Sequence, residues 1–334
     1  MDYKKISKYV FIVLIVVVSF FFGRRTVESK PKGTTFQPQI ERLATGDFRF
    51  TNPLIECEVY PQVNEVLTPF ENKLQLVVDQ AKATNKASKV ALYYRDLLNG
   101  PWIGINMETT FSPASLLKVP LLMSVYEESD VNPDFLSKKL MFTKENDNTR
   151  QQYIVPSAGL SLDREYTISE LLDRMVRFSD NDSASLISRA IDPKLFFKPY
   201  VTLGLKPPIV EDGDYFISVR KYVSFFRVLY NSTYLDRSLS EKALELLSKS
   251  EYKDGLEAGV PDGVRVAHKF GERKFEETGE RQLHDCGIIY HPIRPFLMCV
   301  MTKGKSLNDL SSVIASLTRT AYAEVDKNIN ASLR

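Results

Sequence analysis

Phe111-Ser112-Pro113-Ala114-Ser115-Leu116-Leu117-Lys118-Val119-Pro120 decides the reading of this chain. Ser112 can cap a helix and Pro113 suits its first position, so a helix is expected through the apolar run that follows. Ser115 and Lys118 are three residues apart, hence neighbours on one helical face. A serine hydroxyl is a weak nucleophile and needs a base within hydrogen-bond reach. A lysine can be that base when burial or nearby positive charge lowers its pKa. The helix N-terminus also offers N–H groups to a developing oxyanion. The pair alone is weak evidence: Ser29/Lys32 and Ser250/Lys253 have the same spacing. Read by itself, it is a helix-start serine and a solvated lysine.

The elements around the motif give it context. Glu65 to Ala83 has helical apolar spacing, and Val90–Tyr94 and Trp102–Asn106 read as strands joined at Asn99-Gly100. After the motif, Ile168–Arg177, Asn181–Ala190, Ser218–Tyr230 and Ser240–Ser248 read as helices. Val264–Gly271, Gln282–Tyr290 and Pro295–Thr302 read as strands, and Leu307–Ala323 as a closing helix. This order predicts an α+β body. Strands from both chain ends form one antiparallel sheet, flanked by helices, with a helical lobe inserted between them.

Two more motifs sit on these elements. Ser179-Asp180-Asn181 lies between two predicted helices, where it could simply be a cap. His268-Lys269-Phe270-Gly271 lies on the first strand of the C-terminal group, where a strand-end lysine and a bulge glycine are the plain reading. The three motifs in this order are far more specific than any one. Over roughly Leu67 to Ala323 the chain resembles the penicillin-recognising serine hydrolases, most closely the class A β-lactamase-like family.

The resemblance implies roles at the matching positions. Ser115 would be the acylated nucleophile and Lys118 its base, directly or through water. Ser179 would relay a proton to the leaving nitrogen, and Asn181 would bind the substrate's side-chain amide. Lys269 would place positive charge near the substrate carboxylate. The N–H groups of Ser115 and Glu272 would form the oxyanion hole, and Gly271 would let substrate backbone approach the strand edge. Neither metal nor cofactor is implied. The substrate would be a β-lactam or a peptidoglycan peptide.

Two departures qualify the resemblance. Phe270 stands where the family has Thr or Ser, whose hydroxyl helps bind the substrate carboxylate. Either carboxylate recognition has moved or the substrate differs. The family's Glu-x-x-Leu-Asn loop, which activates the deacylating water, has no counterpart. Phe196 to Leu205 contains no acid, and Glu211, Asp212 and Asp214 follow in a short segment. Slow deacylation, as in penicillin-binding proteins, is the expected result. The leading reading is a β-lactamase-like hydrolase. A D-alanyl-D-alanine carboxypeptidase and a non-catalytic binding protein that keeps the fold are the rivals.

Composition agrees with a folded enzyme body. The chain has 334 residues and 43% hydrophobic side chains, which excludes a mainly disordered polymer. Its net charge is +2, contributed by residues 1–23, so the remainder is balanced and carries no nucleic-acid footprint. Three cysteines exclude a disulfide-dense scaffold. If His291–Arg294 is a four-residue hairpin loop, Cys286 faces Cys299; two free buried thiols are the favoured reading of that pair.

Lys4, Lys5 and Lys8 precede the apolar run Tyr9–Gly23. The run is shorter than the ~20 residues of a typical span. It ends in Phe20-Phe21-Phe22-Gly23-Arg24-Arg25, which lacks a small-residue cleavage site. Residues 1–23 are therefore read as an uncleaved signal anchor rather than a cleaved peptide. Residues 24–60 are read as a linker or stalk and 61–330 as the hydrolase domain. The body is expected outside the cytoplasm.

Overall fold

A sheet buried on both faces must pair every interior amide, and its side chains must alternate between two apolar layers. The computed structural model shows how this sequence meets both demands. It describes residues 40–42, 48–57, 64–98, 100–146, 152–155, 157, 159–208 and 215–332. In chain order the body begins with β1 (Ile40–Arg42), β2 (Leu54–Cys57), α1 (Asn64–Ala83), β3 (Lys89–Asp96), β4 (Trp102–Ile105) and β5 (Thr110–Phe111). A 3₁₀ turn, Ala114–Leu117, leads into α2 (Lys118–Val131). The helical lobe holds β6 (Lys139–Phe142), β7 (Arg164–Thr167), α3 (Ile168–Arg177), α4 (Asn181–Ala190), α5 (Pro193–Thr202), β8 (Ile217–Ser218), α6 (Val219–Tyr230) and α7 (Arg237–Leu247). The chain closes with β9 (Arg265–Lys274), β10 (Arg281–Tyr290), β11 (Phe296–Gly304) and α8 (Leu307–Ser332).

The five long strands form one antiparallel sheet in the order β4-β3-β11-β10-β9. The expected α+β architecture is therefore the observed one. Alternation divides the core. Ala91, Tyr93, Ala267 and Met301 belong to a cluster with residues of α2, α3, α6 and α7. Leu92, Tyr94, Met298 and Val300 belong to a second cluster with residues of α1 and α8. Fully buried side chains such as Leu122, Phe226 and Leu310 each contribute about 2 kcal/mol of hydrophobic stabilisation.

Local signals fix the lobe. Thr167 and Glu170 form a capping box at the start of α3, an arrangement worth about 1 kcal/mol. Asp236 caps α7 by accepting from the Leu239 N–H. That moves the helix start to Arg237, three residues before the expected Ser240. Helix α5 and the strand pairs β5–β8 and β6–β7 were not legible as elements. Their strands are only two to four residues long, too short to show a period. Part of the expected stalk packs on the body: Glu241 accepts the N–H groups of Arg49, Phe50 and Thr51, and the Tyr290 hydroxyl donates to the Phe50 carbonyl.

The cysteine reading needs correction. Cys286 pairs with Cys299 across β10 and β11, as the hairpin count predicts, but the two are joined as a disulfide rather than left as free thiols. The two residues are directly opposed, with Cα atoms 3.9 Å apart, and solvent reaches neither side chain. No helix among the described residues is long and apolar enough to cross a membrane. Tyr9–Gly23 and Asn99 lie outside the described residues. Unfolded without reductant, the protein should present one thiol, that of Cys57, to a thiol reagent, and three after reduction. Three thiols before reduction would refute the bridge.

Candidate active site

The sheet holds the Ser115 segment by its approach. Gln282 accepts the Ser112 N–H at 3.1 Å, and Arg273 donates to the Ser112 hydroxyl at 2.9 Å. His284 is fully buried on the same strand as Gln282. Its Nδ1 accepts the Thr302 N–H at 3.2 Å, so its Nε2 carries the proton and donates to the Ser112 carbonyl at 3.0 Å. Burial pushes the His284 pKa down to about 4, which keeps the ring neutral near pH 7. Ser112 is thus committed to the sheet and makes no side-chain cap, contrary to the expectation from its type.

The segment then turns. Ala114 has a φ of 49°, and Leu116 N–H returns to the Pro113 carbonyl at 3.0 Å, giving a 3₁₀ turn where a continuous α-helix was expected. On the lobe side, the buried Tyr222 hydroxyl donates to the Leu116 carbonyl at 2.9 Å. On the sheet side, the turn lies directly on Gly271. A Cβ there would stand 2.7 Å from the Pro113 carbonyl oxygen and 3.0 Å from the Leu116 nitrogen. Gly271 therefore admits the turn that carries Ser115.

Lys118, the first residue of α2, gathers the motif residues. Its Nζ lies 3.1 Å from Ser115 Oγ, 3.3 Å from Ser179 Oγ and 2.7 Å from Asn181 Oδ1, and it also donates to the Ser179 carbonyl. Burial brings its pKa down to about 7, against the opposing charges of Asp180, Glu272 and Asp182. A neutral amine has two N–H groups and one lone pair. With the N–H groups on the Asn181 amide and the Ser179 carbonyl, the lone pair is left for the Ser115 proton. Ser179 takes a φ of 58°, and Asp180 caps α4 through the Asp182 N–H at 3.0 Å and the Ser183 hydroxyl at 2.7 Å. Backbone strain of this kind collects where the surroundings over-determine a functional geometry.

Gln152 was not singled out in the sequence. Its amide donates to the Ser179 carbonyl at 2.8 Å and accepts the Asn181 N–H at 3.2 Å. A lone glutamine in a polar stretch carries no signal by which this role could be read.

An open cleft of ≈ 500 Å³ is lined in part by Ser115, Lys118, Asn181, Phe196, Tyr200 and Glu272. Ser179, Lys269, Phe270 and Gly271 are not on that lining. Lys269 is fully buried; its ammonium donates to the Phe270 carbonyl at 3.0 Å and lies 4.1 Å from that ring's centroid. Burial, and then the neighbouring Lys118, hold its pKa well below the usual lysine range.

Phe270, expected at the substrate, is instead 3% exposed and stacks on Tyr252 with ring centroids 4.3 Å apart. Its place is the core layer beneath α8, because an aromatic ring gains more from burial than from a wet cleft. His268 ion-pairs with the buried Asp285 at 2.8 Å; despite the cost of burial, Asp285 and Glu257 raise its pKa to about 9. Glu211, Asp212 and Asp214 lie outside the described residues.

A family model described as the Beta-lactamase enzyme family matches residues 69–325. No curated protein matches the chain. Among solved structures, PBP-A is similar at 20% identity and a TM-score of 0.65, covering 78% of this chain and 97% of that one. A class A beta-lactamase from Mycobacterium abscessus is similar at 22% identity and a TM-score of 0.64, covering 77% and 99%. TLA-3 extended-spectrum beta-lactamase is similar at 19% identity and a TM-score of 0.66, covering 76% and 99%.

Two outcomes are expected from this geometry. Reaction of Ser115 with an acylating reagent should rise about tenfold per pH unit below 7 and level off above it, as Lys118 loses its proton. A flat profile from pH 5 to 9 would remove Lys118 as the base. Gly271→Ala should slow the same reaction by about tenfold or more, through displacement of the turn. An unchanged rate would show that the turn yields freely.

Proposed function

The chain belongs to the Beta-lactamase enzyme family, and from that membership we propose that it is an active-site-serine hydrolase that opens β-lactams through an acyl-enzyme on Ser115. The single observation that carries the proposal is the Lys118 amine, buried and 3.1 Å from Ser115 Oγ. In this reading, neutral Lys118 takes the Ser115 proton as Oγ bonds to the carbonyl carbon. The tetrahedral oxyanion is met by the N–H groups of Ser115 and Glu272. The C–N bond then breaks, and a proton passes from Lys118 through the Ser179 hydroxyl to the leaving nitrogen. Asn181, on the cleft lining, meets the substrate's side-chain amide. Lys269 lies behind the cleft lining, where the charge of Lys118 helps to lower its pKa.

A second reading has a specific observation in its favour. Among the described residues lining the cleft, Glu272 is the one carboxylate, and its Oε1 already accepts two backbone N–H groups. Glu211, Asp212 and Asp214 lie outside the described residues, and if none of them activates water the acyl-enzyme is long-lived. This is the behaviour of a penicillin-binding D-alanyl-D-alanine carboxypeptidase, and a variant of the similar PBP-A is known as an acyl-enzyme complex with penicillin G.

We also place the body outside the cytoplasm, tethered by residues 1–23. The apolar run supports this. So does the Cys286–Cys299 bridge, since disulfides persist in oxidising compartments.

Intact mass after incubation with benzylpenicillin tests the proposal. The wild type should gain one penicilloyl group or release hydrolysed product, and Ser115→Ala should lose either activity by about 10⁴-fold or more. A persistent adduct selects the penicillin-binding reading, and free product with unchanged protein mass selects β-lactamase turnover. Neither result in the wild type would sink the acyl-enzyme proposal for this substrate.

A further inference from the structure

Three helices each turn one row of residues into the cleft beside Ser115. On α4 the row is Asn181, Ala184 and Ser188, spaced three and four residues apart and so stacked on one face. Another face of the same helix goes to the core, where Leu186 and Ile187 are buried. On α5 the row is Phe196 and Tyr200, and from the turn into α2 it is Leu117 and Leu121. The rows join the reaction centre at one end. Asn181 accepts from Lys118, and Lys118 lies against Ser115.

The chemistry of the rows differs from that of the reaction centre. The charged residues on the described lining are Lys118, Glu272 and Arg273, which belong to the start of α2 and to β9. The α4 row beyond Asn181 is small, and the α5 row is aromatic. Tyr200 is 2% exposed, and its ring is fixed edge to face on Phe225 at 5.3 Å and on Tyr215 at 6.3 Å. Its hydroxyl makes no hydrogen bond to another described residue. A buried hydroxyl on a cavity lining is satisfied by what enters the cavity.

The cleft of ≈ 500 Å³ is larger than a reacting amide needs. Small residues facing a fixed aromatic wall leave a slot for a flat or branched apolar group. Loss of water from both surfaces then favours binding.

We propose that this three-helix slot is the subsite for the acyl side chain: it takes an aromatic or branched aliphatic group carried just beyond the amide that Asn181 meets. The Tyr200 hydroxyl offers a hydrogen bond to a polar substituent on that group. This rests on the acyl-enzyme reading and deepens it. The preferred acyl donors are those with a bulky apolar acyl side chain, and Ala184, Ser188, Phe196 and Tyr200 set the preference.

Benzylpenicillin and the penicillin with an acetamido side chain share a nucleus and a carboxylate and differ by one phenyl ring. Their acylation rates are compared on the full chain by intact mass. Ser188→Trp places an indole in the slot from an exposed position, where folding tolerates it. Ala184→Leu, at a half-buried position, serves as a second variant. On the wild type benzylpenicillin should acylate about tenfold or more faster, and both variants should bring the ratio towards one. A wild-type ratio near one, or a ratio unmoved by both substitutions, overturns the proposal.

Binding of the same two compounds to Ser115→Ala, read by calorimetry, separates this inference from the acyl-enzyme reading. If neither compound acylates the wild type but benzylpenicillin still binds more tightly, and Ser188→Trp abolishes that difference, the catalytic reading falls and the subsite stands. Acylation at equal rates keeps the catalytic reading and removes the subsite. Failure of both compounds to acylate or bind overturns both.

Discussion

Desolvation of one amine organises the site. An ammonium in water holds its proton to about pH 10.4 and cannot act as a base at neutrality. Lys118 is removed from water by the turn before it, by α4 and by the sheet, and its pKa falls to about 7. The fall is bounded by polar partners. Asn181 and the Ser179 carbonyl accept its N–H groups, and Asp180, Asp182 and Glu272 keep negative charge near it. Without those partners the same burial would leave an orphaned amine at a cost of several kcal/mol. The geometry therefore balances two opposing demands, and the motif residues are the ones that set the balance.

That balance depends on close approach of the turn to the sheet. Three side chains of β9 and β10 hold Ser112, Tyr222 holds Leu116 from the lobe, and Gly271 leaves room between. The neutral His284 is part of the clamp because a buried ring with one donated and one accepted bond is satisfied only in that state. Its depressed pKa makes it a stability element with a defined sign. The unfolded ring binds protons near pH 6.5 and the folded one near 4. Its contribution is complete above about pH 6.5 and fades as pH falls towards 4. The Cys286–Cys299 bridge locks the neighbouring strands directly beside Lys269, which pairs with Cys286 in register.

The departure at Phe270 goes with a rearrangement of its neighbours on β9. Phe270 joins the apolar layer under α8, Lys269 turns to a backbone carbonyl, and Glu272 stands on the wall. Lys118 keeps its contacts with Ser115, Ser179 and Asn181, while Lys269 and Phe270 lie off the cleft lining.

Residue types and spacing by themselves determined the α+β class, most helices and long strands, and the hairpin register at Cys286 and Cys299; the Ser115, Lys118, Ser179 and Asn181 group was implied by the family that the three motifs in order resemble. Each is written in short-range pattern: period, turn residues, or spacing on one element. Only tertiary structure decided the rest. Ser112 was read as a cap from its type, but the sheet competes for its hydroxyl and its backbone. Gly271 gives no sign in the sequence that a turn packs on its face, where a Cβ would meet Pro113 and Leu116. Phe270 was read at the site, but strand alternation and Tyr252 draw it into the core. Gln152 and the side chain of Glu272 gained their contacts from partners on other elements, 27 and 119 residues away. The physical reason is common to all of them. A side chain's local pattern states what it can do, whereas burial, charge and hydrogen-bond partners are supplied by other segments, from 18 residues away for Phe270 to 161 for Ser112.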